Sequence, residues 1–190
     1  GGFSTRDASI GHFQDPVIEV IAIVFMLAGG IPFVLYLQAL RGRSMALFWD
    51  VQVRWYLAAV FVAAAVLAFW LIQQGLAPPF DAIRQAMFTA VTIVTTTGYV
   101  TVDYSAWGPF ATVFVFFLMC VGGCTGSTTG GIKVFRFVVL YAVAWAQLQR
   151  LLQPNGVFPA LYNERPISDA TAISVLAFIF AFAASFAVLA

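Results

Sequence analysis

Long stretches without charge constrain this chain more than any other feature. A bilayer core about 30 Å thick takes roughly 20 helical residues to cross, and the chain offers apolar runs of about that length. Residues 16–40 carry only Glu19, near their start; 55–73 and 170–190 carry no charge; 106–122 and 132–149 flank a stretch of Gly, Thr and Ser. These five regions read as spans. A sixth, residues 81–94, reaches about 21 Å as a helix, too short to cross, and is expected to be a re-entrant helix entering from one face. The composition agrees, with 62% hydrophobic and 9% charged residues against about 45–50% and about 25% in soluble domains. The expected fold class is an all-α membrane protein.

Charge then orients the spans. Lys and Arg gather on the cytoplasmic side of membrane proteins, and Arg41, Arg43, Arg54, Lys133, Arg136, Arg150 and Arg165 fall between or after spans on one side. Segments 1–15 and 74–107, holding only Arg6 and Arg84 among acidic residues, are expected outside. Nine basic against eight acidic residues leave no surplus for gripping phosphates, which excludes a nucleic-acid partner. The chain starts on Gly and stops inside an apolar run, and so reads as an internal segment of a longer polypeptide.

A repeat runs through the sequence. Gly-Phe-Ser-Thr-Arg-Asp-Ala-Ser at 2–9 aligns with Gly-Tyr-Val-Thr-Val-Asp-Tyr-Ser at 98–105, and Met-Leu-Ala-Gly-Gly at 26–30 with Met-Cys-Val-Gly-Gly at 119–123. The unit is span, short re-entrant helix, Gly-containing outer loop, span. Two crossings per unit keep successive copies in one orientation, unlike the inverted repeats of many secondary transporters.

Two motifs carry the chemistry. Val-Thr-Thr-Thr-Gly-Tyr at 94–99 follows the short helix directly. Irregular backbone at membrane depth survives only inside protein or along a watery cavity, where its carbonyls can replace the hydration shell of a cation. The negative end of the helix points at the same place. The second motif is Gly-Gly-Cys-Thr-Gly-Ser-Thr-Thr-Gly-Gly-Ile-Lys at 122–133. Residues 107–150 as one helix would measure about 66 Å, so this segment must break the helix, and it is expected as a mobile loop beneath the first motif.

Other motifs fall away. The second motif lacks the Gly-Lys-Ser/Thr of a phosphate loop. His12 is the lone histidine, in a polar outer segment, and Cys120 and Cys124 have no further ligands nearby, so neither a catalytic triad nor a zinc site has material. Lys133 and Arg136 read as positive residues at the cytoplasmic boundary, open to a regulatory contact.

With both motifs in hand, the chain resembles the Trk/Ktr family of potassium uptake proteins, its Cys-Thr-Gly-Ser form being similar to the TrkH type of membrane subunit. The resemblance implies span, pore-helix, span repeats around one pore, usually in a homodimer within the bacterial inner membrane. By that likeness Thr96, Thr97, Gly98 and Tyr99 form a third potassium-binding filter segment, and Gly1, Gly2 and Phe3 end the second. Gly122, Gly123, Thr125, Gly126, Ser127, Thr128, Thr129, Gly130 and Gly131 form the gating loop. Residues 1–40 end the second repeat, 41–54 form a cytoplasmic loop, 55–153 the third repeat, 154–169 a cytoplasmic loop, and 170–190 the first span of a fourth. The implied partner is a nucleotide-binding cytoplasmic subunit, TrkA; no cofactor is implied, and potassium is the transported ion. The rival reading is a secondary transporter coupling cation flux to protons or sodium, which calls for inverted repeats and acidic residues within the membrane. A membrane-embedded enzyme would need His, Asp or Glu clustered at one depth.

Overall fold

The computed structural model describes residues 4, 6–43, 45–153, 156, 158–163 and 165–189. Two compact units make up the chain, Gly1–Val134 and Phe135–Ala190. The first contains helices α1 (Pro16–Gly29), α2 (Phe33–Leu40), α3 (Met45–Trp49), α4 (Val51–Gln73), α5 (Pro79–Val94) and α6 (Pro109–Met119), with 3-10 turns at Ser9–His12 and Tyr104–Trp107.

Helix α4 is apolar on every side, yet only one stripe of it is buried: Val53, Tyr56, Val60, Ala63, Ala64, Leu67 and Leu71. That stripe follows helical spacing and packs on α5. The α5 face includes Ala82, Ala86 and Ala90, all fully buried. Small residues let two backbones approach closely where lipid supplies no hydrophobic driving force. Trp107, Ala111 and Val115 at the start of α6 complete this core with Leu67, Leu71, Ala82 and Ala86. The Trp70 indole N–H ties it by donating to the Trp107 carbonyl at 2.9 Å. Helix α5 is thus gripped by α4 and α6, and α1 also packs on it.

The repeat reappears as structure. Each copy has a 3-10 turn, then a helix opening on Pro (Pro16, Pro109), then a break, at Gly29–Gly30 in the first copy and after Met119, just ahead of Gly122–Gly123, in the second. The two outer segments meet, with the Gly11 N–H donating to the Val100 carbonyl at 3.0 Å.

Several boundaries depart from expectation. Residues 16–40 do not cross as one rod, because α1 and α2 meet at 94°. Pro32 cannot donate to a continuing helix and bars Ile31 from helical geometry. The freed backbone groups bond elsewhere: Gly30 O accepts from the Cys124 N–H at 3.0 Å and the Phe33 N–H donates to Gly126 O at 3.3 Å. The expected loop 41–54 holds α3 and the first turn of α4. Asp50 explains that earlier start by capping it, Oδ1 accepting from the N–H groups of Gln52 at 2.9 Å and Val53 at 3.2 Å. Pro79 starts α5 two residues ahead of the expected 81.

The second unit holds most of α7 (Val134–Leu152), a hairpin of β1 (Leu161–Tyr162) and β2 (Arg165–Pro166), and α8 (Asp169–Leu189). The hairpin lies within the expected loop 154–169. The Phe135 and Tyr162 rings meet edge-on at 5.1 Å, and the Arg136 guanidinium stacks 3.7 Å over the Phe178 ring. Helix α8 exposes Ile173, Leu176, Phe180, Phe186 and Val188. Val51–Gln73 and Asp169–Val188 are long and apolar enough to cross a membrane, and α1 with α2 reaches that length as a bent pair.

Replacing Asp50 by Ala removes the cap of α4 and is expected to cost about 1 kcal/mol, with Ser restoring most of it. Thermal unfolding in detergent measures both.

Candidate ion pathway

Three helices of the first unit end in the same hydrogen-bond pattern, and the exception among them marks the site. At the end of α2 the Arg43 N–H reaches back to Gln38 O and that of Gly42 to Ala39 O; at the end of α4 the pair is Leu76 to Leu71 O and Gly75 to Ile72 O. This Schellman closure needs a left-handed residue just past the helix, normally glycine, and Gly42 (φ 87°) and Gly75 (φ 64°) supply it. Helix α5 closes likewise, Thr97 donating to Thr92 O at 3.1 Å and Thr96 to Ile93 O at 3.0 Å. Its left-handed residue, however, is Thr96, at φ 54°. A β-branched side chain there is strained, and such strain gathers at functional sites.

The closure also sorts donors from acceptors. The N–H groups of Thr95, Thr96 and Thr97 turn back onto α5, and Gly98 follows more distantly at 3.5 Å. Among the described residues no donor reaches the carbonyls of Thr95, Thr96 or Gly98. Gly98, at φ 76°, lets the chain turn again. The Tyr99 carbonyl differs, accepting from Thr92 Oγ1 at 3.0 Å. Thr95 is buried and folds its hydroxyl onto Val91 O at 2.7 Å and Thr97 Oγ1 at 2.9 Å, whereas Thr96 stays exposed. A cavity of about 200 Å³ borders this segment, lined by Phe88, Thr92, Gly98, Tyr99 and Thr101 among others.

The glycine-rich segment packs against this turn. Gly122 N–H donates to Ile132 O and Ile132 N–H to Cys120 O, both at 2.9 Å, so the segment closes on itself as a loop. Inside it, Thr129 Oγ1 accepts from the Gly123 N–H at 2.9 Å and lies 2.9 Å from Ser127 Oγ. The Lys133 ammonium donates to the Thr129 carbonyl and, at 3.0 Å, to Thr129 Oγ1. Contacts outside hold the loop on three sides. Thr128 Oγ1 donates to Gly29 O at 3.2 Å, the Thr125 N–H to Gln52 Oε1 at 3.0 Å, and the Gly130 N–H to Thr96 Oγ1 at 2.8 Å. The segment expected as a mobile loop is thus held by hydrogen bonds to its neighbours, with Gly122, Gly123, Cys124 and Thr129 buried.

A charged cluster ties α1 to α5. The Arg84 guanidinium lies 2.7 Å from Glu19 Oε2 and 3.0 Å from Asp81 Oδ1, and Glu19 is only 6% exposed. Buried ionic groups need such partners.

The site is thus a short helix, α5, closing on a left-handed threonine turn against which a glycine-rich loop packs. A family model described as TrkH, cation transport protein, matches residues 1–189. The chain belongs to the TrkH family. It is 44% identical over 183 residues to the Trk system potassium uptake protein TrkI of Halomonas elongata, covering 96% of this chain and 37% of that protein. It is 35% identical over 191 residues to the Trk system potassium uptake protein TrkH of Escherichia coli K12, covering 99% and 39%. The crystal structure of the potassium transporter TrkH from Vibrio parahaemolyticus superimposes with a TM-score of 0.91 at 32% identity, covering 99% of this chain and 41% of that one. The chain therefore spans about two-fifths of the length of such TrkH-family relatives.

Within the TrkH fold the structure brings Thr96, Thr97, Gly98 and Tyr99 together with the loop formed by Gly122, Gly123, Thr125, Gly126, Ser127, Thr128, Thr129, Gly130 and Gly131. Gly1, Gly2 and Phe3 lie outside the described residues. Lys133 is placed on the loop and Arg136 on Phe178. Sequence reasoning missed the Glu19–Arg84 pair and the hydrogen bond from Gly130 to Thr96. The signal for the pair was an Arg in an otherwise apolar short helix; nothing local signalled the hydrogen bond.

A Cβ on Gly122 would collide with the Gly130 carbonyl. Gly122→Ala is therefore expected to cost about 1–3 kcal/mol, as overpacking of a filled site does, and to lower the thermal midpoint of the protein in detergent.

Proposed function

We propose that this chain forms part of a potassium-uptake subunit in the bacterial inner membrane, with a carbonyl filter at Thr96, Thr97, Gly98 and Tyr99 and the loop at 122–131 as an obstruction below it. One observation carries the reading: the Gly130 N–H seated on Thr96 Oγ1 at 2.8 Å, which sets the loop directly against the turn where, among the described residues, the Thr96 and Gly98 carbonyls meet no donor. A dehydrating cation requires carbonyl oxygens already aimed and not bonded elsewhere, and α5 frees them by turning its donors backward. The C-terminal end of α5 adds its negative dipole at the same point. No covalent chemistry enters, and potassium is cargo.

Residues 1–40, 55–153 and 170–190 are then the end of one pore repeat, a whole repeat, and the start of another, joined by cytoplasmic segments 41–54 and 154–169. Gly1, Gly2 and Phe3 close the preceding filter segment. Family likeness extends the proposal to a homodimer and to a TrkA-like nucleotide-binding partner on the cytoplasmic side, where Lys133 and Arg136 lie near the exit of the loop in sequence. The rival is flux coupled to protons or sodium; proton coupling calls for a titrating acid in the path, and the buried Glu19 is instead paired with Arg84 at 2.7 Å.

Gly98→Ser in the full-length polypeptide is expected to lower the potassium-over-sodium uptake ratio about tenfold while protein yield holds, because a Cβ at positive φ re-aims the backbone without burying anything large. Uptake into liposomes, normalised to inserted protein, measures it, and an unchanged ratio contradicts the filter. Removing residues 125–130 is expected to raise potassium flux in the same assay; a well-folded deletion with unaltered flux contradicts the gate.

A further inference from the structure

The three helix ends compared above pose a question that the filter reading alone leaves open: α2 and α4 close on glycine, but α5 closes on a threonine in the same left-handed conformation. A filter built only of carbonyls has no use for a side chain at that place, and glycine would remove the strain. The side chain must serve something else. Its neighbours identify what. Thr95 and Thr97 turn their hydroxyls toward each other, 2.9 Å apart, while the Thr96 hydroxyl points the other way and accepts the Gly130 N–H at 2.8 Å. The Thr96 methyl also bounds the loop, since a Cβ on Gly130 would stand 3.4 Å from Thr96 Cγ2.

We infer that Thr96 is the docking point of the obstructing loop: its hydroxyl, exposed by the left-handed turn, holds Gly130 in place and so positions the loop across the path. This rests on the filter-and-gate reading and adds a residue-level link between its two parts. The one residue that strains the turn is thus also the one that holds the loop. A Cβ on Gly130 would stand in ordinary contact with Thr96, so the two residues already lie at packing distance. The remaining bonds to the loop come from the α1–α2 bend and from Gln52. The Thr96 bond therefore ties the return limb of the loop, beside the Gly122–Ile132 closure, to the filter turn, and its loss releases that limb while Gln52 and Gly29 keep hold of residues 125–128.

The test uses the full-length polypeptide in liposomes, with rubidium uptake and the potassium-over-sodium ratio both normalised to inserted protein. Thr96→Val keeps the branched shape and removes the acceptor; Thr96→Ser keeps the acceptor. Loss of one hydrogen bond shifts a two-state loop about three- to tenfold, so Val is expected to carry more flux by about that factor than Ser, which changes the same position of the filter turn and keeps the acceptor. Thr96→Gly, which removes strain and acceptor together, is expected to raise flux as Val does without lowering thermal stability, and it carries the test if the Val protein folds poorly. Unchanged flux in Val and Gly overturns the inference, as does flux in Ser equal to that of Val and Gly. Deletion of residues 125–130 separates the failures. If the deletion raises flux while Val and Gly do not, the docking point is wrong and the gate stands; if the deletion also leaves flux unchanged, the gate itself fails.

Discussion

Inside a bilayer every backbone donor and acceptor has to find a partner within the protein or in a wet cavity, and the way α5 ends follows from that constraint. The helix stops where the chain is still among buried residues, and it satisfies its last donors with its own carbonyls. Thr95, Thr96 and Thr97 all donate backward. Among the described residues the Thr95, Thr96 and Gly98 carbonyls are left without a donor. A hydrated surface at these carbonyls is therefore a requirement of the fold. The rest of the first unit grips the body of that helix: the alanine-lined seam with α4, the cluster of Trp107 with α6, and the Glu19–Arg84 pair from α1.

The loop below is held by the same logic applied to glycine. A segment with buried Gly122, Gly123 and Thr129 can exist there only because its N–H groups reach acceptors on neighbouring elements, among them Gly30 O, Gln52 Oε1 and Thr96 Oγ1. The break between α1 and α2 supplies some of those acceptors. The bend at Pro32 and the loop at 122–133 therefore complete each other: two Gly-Gly breaks from successive repeats share one set of hydrogen bonds.

Much of this was legible in the sequence. Uncharged runs located α4 and α8, since length and charge alone decide what can cross. The short helix and the glycine loop followed from chain-length arithmetic, and the repeat from plain self-similarity. Direction was not legible. Hydropathy reads residues 16–40 as one apolar run, and a 94° turn leaves it unchanged; only Gly29, Gly30 and Pro32 hinted at a break. Long-range pairings were equally silent, because Glu19 and Arg84, or Gly130 and Thr96, meet through topology rather than through any local pattern. The left-handed Thr96 escaped because the usual signal of that conformation, glycine, stands two residues later at Gly98.

The central claim is that the carbonyls left free at the end of α5 bind the transported cation. Anomalous scattering from rubidium or thallium soaked into crystals of the full-length protein tests it most directly. The account predicts a peak within coordination distance of the carbonyls at Thr96 to Gly98, on the side of the turn opposite α5. Anomalous density confined to other parts of the molecule, with none at this turn in a cation-saturated crystal, would contradict it.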